Sequence, residues 1–306
     1  MFRRAEQLAI KNGEPATCPD KRHNRAIADH FSSRASLWRD IYDDRRESTN
    51  KFQRYEMTGR RAAVLDLIAK YGGDRPLRIL DAGSGPASVA EELFKRGYKV
   101  VCIDISHEMI REARQVSEKY AFDGTNCFQA DLEELIFRDG SFDAVICIGV
   151  LQYLRNDHRA VGEIGRVLQR GGLAIVSLPN LFRINTILDP YYYLKRSLMY
   201  VWHMIMRRAR ASNGVRADDF GSNESFINRR YFFGQLYPLF RANDLTVVDT
   251  IPIGFGPPTF WGKAILSEGA FLRTNGFLNR LVQKRSLRWL MVFANRWVIC
   301  LRKVQS

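Results

Sequence analysis

The run Leu77-Arg78-Ile79-Leu80-Asp81-Ala82-Gly83-Ser84-Gly85 decides how this 306-residue chain reads. A short apolar stretch ends in an acid, and two glycines one residue apart follow it. Beyond them Val89, Ala90, Leu93 and Phe94 fall on one helical face. The pattern is strand, tight turn, helix. Glycines let the backbone make that turn and approach a ligand closely. Alone, a Gly-x-Gly pair is a weak signal that also fits a dinucleotide site.

The next stretch sharpens the reading. Lys99-Val100-Val101-Cys102-Ile103-Asp104 is a second buried-strand pattern ending in an acid. An acid there can accept hydrogen bonds from both hydroxyls of a ribose. With these residues the chain resembles the class I S-adenosylmethionine-dependent methyltransferases. Asp81-Ala82-Gly83-Ser84-Gly85 resembles the first motif of that family and Ile103-Asp104-Ile105-Ser106 the second. Gln129-Ala130-Asp131 resembles the adenine-side loop, Ser141 to Cys147 the fourth strand, and Arg166 to Gly172 the turn before the fifth. The motifs cover residues 77–178. One departure stands out: Ala87, after Pro86, replaces the usual third glycine. Alanine is small, so close approach survives.

The resemblance implies S-adenosylmethionine as cofactor and assigns residues to it. Asp81, Gly83 and Gly85 position the methionine end. Asp104 takes the ribose, Ile105 packs on the adenine, and Asp131 faces the adenine amino group. Leu132 adds a backbone donor and apolar contact, and Gly149 ends the fourth strand on the same rim. Phe31, Trp38 and Tyr42 are spaced like an amino-terminal cap, with Tyr42 over the ligand. Tyr55 is a weaker candidate for that cover and reads better as a helix-packing residue.

The implied fold is α/β, Rossmann-like, with a seven-stranded, mostly parallel sheet, helices on both faces and the last strand antiparallel. Expected strands are 78–81, 100–104, 125–129, 142–148, 173–177, 245–250 and 297–302. Strand–helix alternation at this spacing means a parallel sheet covered on both sides, with ligands outside the carboxyl ends of its strands. Residues 1–75 read as a helical cap and 76–306 as the main domain. Insertions at about 181–225 and 251–292, largely helical, form an acceptor-binding lid or a membrane-facing lobe. The segment 229–241 reads as a helix with Phe232, Phe233, Leu236 and Phe240 inward.

Charge is distributed unevenly. The net charge is +14, of which residues 181–216 carry +6 and residues 251–306 carry +8, so the remainder is balanced. Both basic segments are rich in aromatics. Clustered positive charge attracts anionic partners such as nucleic acid, phosphorylated molecules or lipid headgroups. The apolar run 197–206 lies between basic ends and is too short for a bilayer, which needs about 20 residues. It suits the interface of an anionic membrane, or a substrate lid. Arg280, Lys284, Arg285, Arg288, Trp289, Arg296 and Trp297 suit anionic headgroups in the same way, and the alternative is a homodimer or domain interface with a solvated basic face. Five scattered cysteines fit free thiols in a reducing compartment. No secretory leader is expected from the first residues, and the expected location is cytoplasmic, peripheral at the inner membrane surface.

The sulfonium cofactor is already activated, so the protein must align a nucleophile and exclude water. Gln152 and Tyr153 follow the fourth strand, where the resembled family meets its acceptor. His158 is a candidate general base, since its ordinary pKa suits that role, and a solvated helix-start histidine is the alternative. His23, His30 and His203 are weaker candidates. No histidine, cysteine and acid group has metal-ligand spacing, so no metal is expected. The acceptor reads as a small molecule, polar or amphiphilic. A nucleic-acid methyltransferase would use the basic segments, yet Gly149-Val150-Leu151-Gln152 stands where base methyltransferases carry a proline-rich motif. A non-catalytic S-adenosylmethionine-binding protein is the remaining alternative.

Overall fold

The computed structural model describes residues 19–42, 51–120, 126–187, 189–212, 228–261 and 263–304. Seven strands form one sheet: β1 (Arg78–Ala82), β2 (Lys99–Asp104), β3 (Cys127–Gln129), β4 (Phe142–Ile148), β5 (Leu168–Pro179), β6 (Leu245–Ile253) and β9 (Arg296–Lys303). Their order is β3-β2-β1-β4-β5-β9-β6. The pairings from β3 to β5 are parallel, and β9 enters antiparallel between β5 and β6. A short hairpin, β7 (Thr259–Phe260) with β8 (Lys263–Ala264), stands apart. The central strands are apolar on both faces, as a doubly covered sheet requires.

Helices Lys51–Tyr71, Ser88–Lys95 and His107–Lys119 follow the expected alternation. Each buries an apolar stripe: Leu67 and Ile68 from the first, Leu93 and Phe94 from the second, Met109 and Ile110 from the third. Ser106 caps the third helix, its Oγ accepting from Met109 N at 3.2 Å. Ala87 lies before the second helix at φ 60°, in the left-handed region, and is fully buried. That is the conformation a glycine adopts freely, and alanine holds it at a cost of about 1–2 kcal/mol.

Some boundaries differ from expectation. Strand β5 starts at Leu168 rather than 173, because an irregularity between Phe142 and Ala144 lets Leu168 pair with Phe142 across the Gly171-Gly172 turn. Strand β3 starts at Cys127, and the expected start at Thr125 lies outside the described residues. The helix expected from Arg229 starts at Phe233, because Tyr231 is taken into a bridge with Asn180. Phe232 consequently turns outward, 41% exposed, while Phe233 packs on Trp297 with ring centroids 4.4 Å apart. Trp297 is core rather than surface: it is 1% exposed and its Nε1 donates to the Met291 carbonyl at 2.8 Å. Arg296 beside it also turns inward, its side chain 18% exposed.

Trp297→Ala should destabilise the protein by about 3–5 kcal/mol through the cavity and the lost hydrogen bond. Urea unfolding followed by far-ultraviolet circular dichroism checks the figure, and a cost below about 1 kcal/mol would contradict the buried placement.

Candidate active site

The carboxyl ends of β1, β2 and β4 and the loop after β3 meet at a cavity of 220 Å³. Gly83, Gly85, Asp104, Ile105, Asp131, Leu132, Gly149, Gln152 and Tyr153 line it, so parallel pairing brings together nine of the sequence candidates. Asp81 lies behind the glycine turn, on an adjoining 40 Å³ cavity that shares Gly83 and Gly85. Gly83 has φ 77°, and a Cβ there would overlap the Val150 side chain, so only glycine fits.

Each acid has a defined environment. Asp104 accepts from Gly85 N through Oδ2 and from Ser106 N through Oδ1, both at 2.9 Å. Those bonds fix the carboxylate at the cavity wall. Asp131 accepts from Glu133 N at 2.9 Å and from Asn24 Nδ2 at 2.7 Å. Asp81 is 2% exposed, and its Oδ2 is buried with no hydrogen-bond partner. An orphaned carboxylate oxygen is costly unless a ligand donor completes it.

Burial and, behind it, the nearby Asp104 charge push the Asp81 carboxyl up to about 7. Burial pushes Asp104 up to about 6, against the backbone N–H groups of Ser106, Gly85 and Ile105. A cation brought to this site would hold both carboxyls in their ionised form.

The amino-terminal helix Pro19–Ser32 lies over this rim and is tied to three loops. Its Ser32 Oγ meets Ser106 Oγ at 2.8 Å, Asn24 reaches Asp131, and His23 Nε2 meets the Tyr153 carbonyl oxygen at 2.9 Å. Ile27, Phe31 and, from the next helix, Trp38 close the apolar side of the cavity. Tyr42 ends helix Ala35–Tyr42, and its side chain lies outside the described residues. Tyr55 stays out of the cavity lining and accepts from Asn279 Nδ2 at 2.6 Å.

His158 is corrected by the structure. Asn156 caps helix Asp157–Val167, and the phase of that helix buries Ala160, Val161 and Ile164. The imidazole is left exposed and outside the cavity lining. His30 bonds Arg34 instead of facing the cavity, and the His203 side chain lies outside the described residues.

Sequence reasoning missed the fourth wall. Helix Lys51–Tyr71 contributes Glu56, Met57 and Arg60, and β9 contributes Arg296. Arg60 is 4% exposed, and its Nη1 lies where a Cβ on Gly149 would come within 3.0 Å. Arg60 donates to the Glu56 carbonyl and to Met57 Sδ, and among the described residues it meets no carboxylate. Arg296 donates to Gln152 Oε1 at 2.8 Å and lies 3.4 Å from Glu56 Oε2. No local pattern marks these residues, because the helix is apolar and basic without clear segregation.

Residues 80–176 match the family model described as a methyltransferase domain. A malonyl-[acyl-carrier protein] O-methyltransferase of Geobacter sulfurreducens is 33% identical over 150 residues, covering 44% of this chain and 54% of that protein. A rice 2-methyl-6-phytyl-1,4-hydroquinone methyltransferase is 29% identical over 130 residues, covering 42% of this chain and 34% of its own length. Residues 80–176 are thus similar to a methyltransferase domain. The chain spans about half the length of the curated bacterial relatives it matches. For the fold, magnesium protoporphyrin IX methyltransferase from Synechocystis PCC 6803 superposes with a TM-score of 0.58 at 17% identity, covering 91% of this chain and 99% of the other. The chain carries the expected sheet, with the antiparallel strand in its expected place.

The raised carboxyls make the stability of the unliganded domain pH-dependent. Between about pH 4 and 7 the fold keeps protons that the unfolded chain has released. The contribution is full below about pH 4 and is lost as pH rises through 6 and 7. Urea titrations at pH 4.5 and 7.5 should show Asp81→Asn gaining on the wild type by a few kcal/mol at the higher pH. An equal offset at both pH values would contradict the assignment.

Proposed function

We propose that this protein transfers the methyl group of S-adenosylmethionine to a small-molecule acceptor, hydrophobic or amphiphilic, by direct in-line displacement. The observation that carries this reading is the buried, unpartnered Asp81 oxygen behind a glycine turn, on a rim that also holds Asp104 and Asp131. The residues fit the cofactor. Asp81 would hold its ammonium, Arg60 its carboxylate, Asp104 its ribose hydroxyls and Asp131 its adenine amino group. Ile105 and Leu132 would pack on the ring, and Gly149 leaves space at the end of β4. Bound S-adenosylmethionine supplies an activated methyl group. The chain then has to hold the acceptor in line and keep water out. Gln152 and Tyr153 stand on the acceptor side, with Gln152 fixed by Arg296. Phe31 and Trp38 exclude water from the other side. Tyr42 is kept as a candidate cover.

The relatives' names support a small acceptor bearing an acyl-carrier or prenyl-type group. A second feature favours an amphiphilic one. In helix Pro190–Ser212, Leu194, Leu198, Val201, Trp202 and Ile205 are 46–61% exposed. Among the described residues no helix is long and apolar enough to cross a membrane. We read the insertions at 181–225 and 251–292 as an acceptor-side lobe that rests on an anionic membrane surface, at the inner face of the cytoplasmic membrane. Self-association through the same helix is the competing account, and nucleic acid has no assigned surface here.

Isothermal titration tests the cofactor reading. Micromolar binding of S-adenosylmethionine should weaken at least tenfold in Asp104→Ala and in Arg60→Met, and wild-type affinity should rise from pH 5.5 to 7.5 as Asp81 and Asp104 ionise. Absence of binding to folded wild type would end the proposal. For the lobe, sedimentation with anionic liposomes at low salt should pellet the protein, and 0.5 M salt should release it. Protein that stays in the supernatant, or sediments alone as a dimer, would favour self-association.

A further inference from the structure

The carboxamide of Gln152 has its direction set by the residues behind it. Gln152 sits in the short turn Leu151–Tyr153 after β4, is buried by the protein around it and lines the cavity. The turn is held from outside. Arg229 N donates to the Gln152 carbonyl at 2.8 Å, and the Tyr231 hydroxyl donates to the Leu151 carbonyl at 3.1 Å. Arg296 Nη1 donates to Gln152 Oε1 at 2.8 Å. A guanidinium carries donors alone, so it binds only the oxygen end of an amide. The other end, Nε2, makes no hydrogen bond among the described residues and is not sealed off, so it opens on the cavity.

Arg296 is fixed in its turn. Its Nε lies 3.4 Å from Glu56 Oε2, and Glu56 Oε1 accepts from Asn295 Nδ2 at 3.1 Å. Asn295 is buried, its Nδ2 donating also to the Gly256 carbonyl at 2.7 Å and its Oδ1 accepting from Gly256 N at 3.3 Å. Asn295 thus holds Glu56, Glu56 holds Arg296, and Arg296 holds Gln152. Glu56 and Arg296 offset each other's charge, so this chain ends on a neutral N–H pair. Turning the amide over would set Nε2 against Arg296 Nη1, donor to donor, and would forfeit a charge-assisted bond.

We propose that Gln152 is a specificity-determining donor on the acceptor side, with Arg296 as the residue that positions it: its Nε2 hydrogens select acceptors that place an oxygen lone pair, of a carbonyl or carboxylate, beside the reacting atom. This deepens the methyl-transfer reading and rests on it for the word acceptor, while the donor itself can be measured without any transfer. An acceptor with carbon at that point would leave the N–H pair without a partner in a half-closed place, and one with only N–H groups would meet it donor to donor.

The test uses the full chain saturated with S-adenosylhomocysteine, with saturation checked for every variant. The probes are 2-octanone and its methylene isostere 2-methyl-1-octene, titrated by calorimetry. Comparing the ratio of their affinities between wild type and variant cancels the cost of desolvating the ketone oxygen. Gln152→Leu should lower the ketone-to-alkene ratio by at least about fivefold. Arg296→Met, which frees the amide to turn, should lower it by about two- to threefold. Gln152→Glu keeps the Arg296 partner but turns an oxygen to the cavity, so it should favour 2-octanol over 2-octanone by at least about fivefold, a reversal that a purely structural residue would not produce. The same ratio in wild type and Gln152→Leu overturns the proposal. On wild type alone, the infrared carbonyl band of bound 2-octanone should lie below its position in hexane, and an unshifted band overturns the proposal whether or not the variants fold. If S-adenosylhomocysteine fails to bind while the unliganded protein still gives the shifted band and the change in ratio, the cofactor reading fails and the Gln152 donor stands.

Discussion

The parallel pairing of β1 between β2 and β4 is the constraint on which the rest depends. It puts Asp81 opposite Cys102 and Ile146, so the acid at the end of β1 is fixed in the middle of a fully apolar sheet. Asp104 ends the neighbouring strand in the same direction, and Asp131 follows the next. Parallel strands cannot send these groups to different ends. The result is a buried rim of like charge, which in isolation would weaken the fold. The arrangement makes sense when a cationic ligand completes it, and the unpartnered Asp81 oxygen is the local record of that incompleteness.

The same rim organises the amino-terminal helices. The helix Pro19–Ser32 reaches the sheet mainly through Ser106, Asp131 and the Tyr153 carbonyl, each on a loop that also borders the cavity. A ligand at the rim therefore touches the groups that hold the cap. Carboxylate oxygens have lone pairs enough for both partners, so Asp131 can keep Asn24 and still accept from an adenine amine. Cap and rim are thus coupled through shared acceptors, in addition to the packing of the cap on helix His107–Lys119.

Most of this rim was legible in the sequence because buried strands are short, continuous and punctuated by glycine or acid, and because the resembled family supplies their order. Strand ends were less legible. Nothing in Arg166 to Gly172 says that Leu168 joins the sheet before the turn, since the pairing with Phe142 depends on a bulge in the partner strand. His158 misled because a histidine a few residues past the fourth strand is near the site in sequence, while the helix phase set by Ala160 and Val161 turns it away. Phe232 misled for a related reason: Tyr231 bonds Asp157 and the Leu151 carbonyl, which delays the helix and shifts which aromatic points inward.

The charge pattern was read correctly in its total, and single residues depart from the outward direction expected of it. Two basic segments account for the whole net charge, and an outward face is the ordinary fate of such residues. Arg288 follows that rule, bonded to Asp249 at 2.8 Å on the surface. Arg296 does not, because the side-chain amide of Asn180 satisfies carbonyls at 292 and 294 and draws the start of β9 against the end of β5. An asparagine in a Pro-Asn pair looks like turn chemistry in sequence. Here it is a buried junction, and its effect is to convert part of a surface charge into the inner wall of the cavity. Leu194, Leu198, Val201, Trp202 and Ile205 of helix Pro190–Ser212 stay outside while Arg296 lines the cavity, so the two basic, aromatic segments supply an exposed apolar face and an inner charged wall respectively.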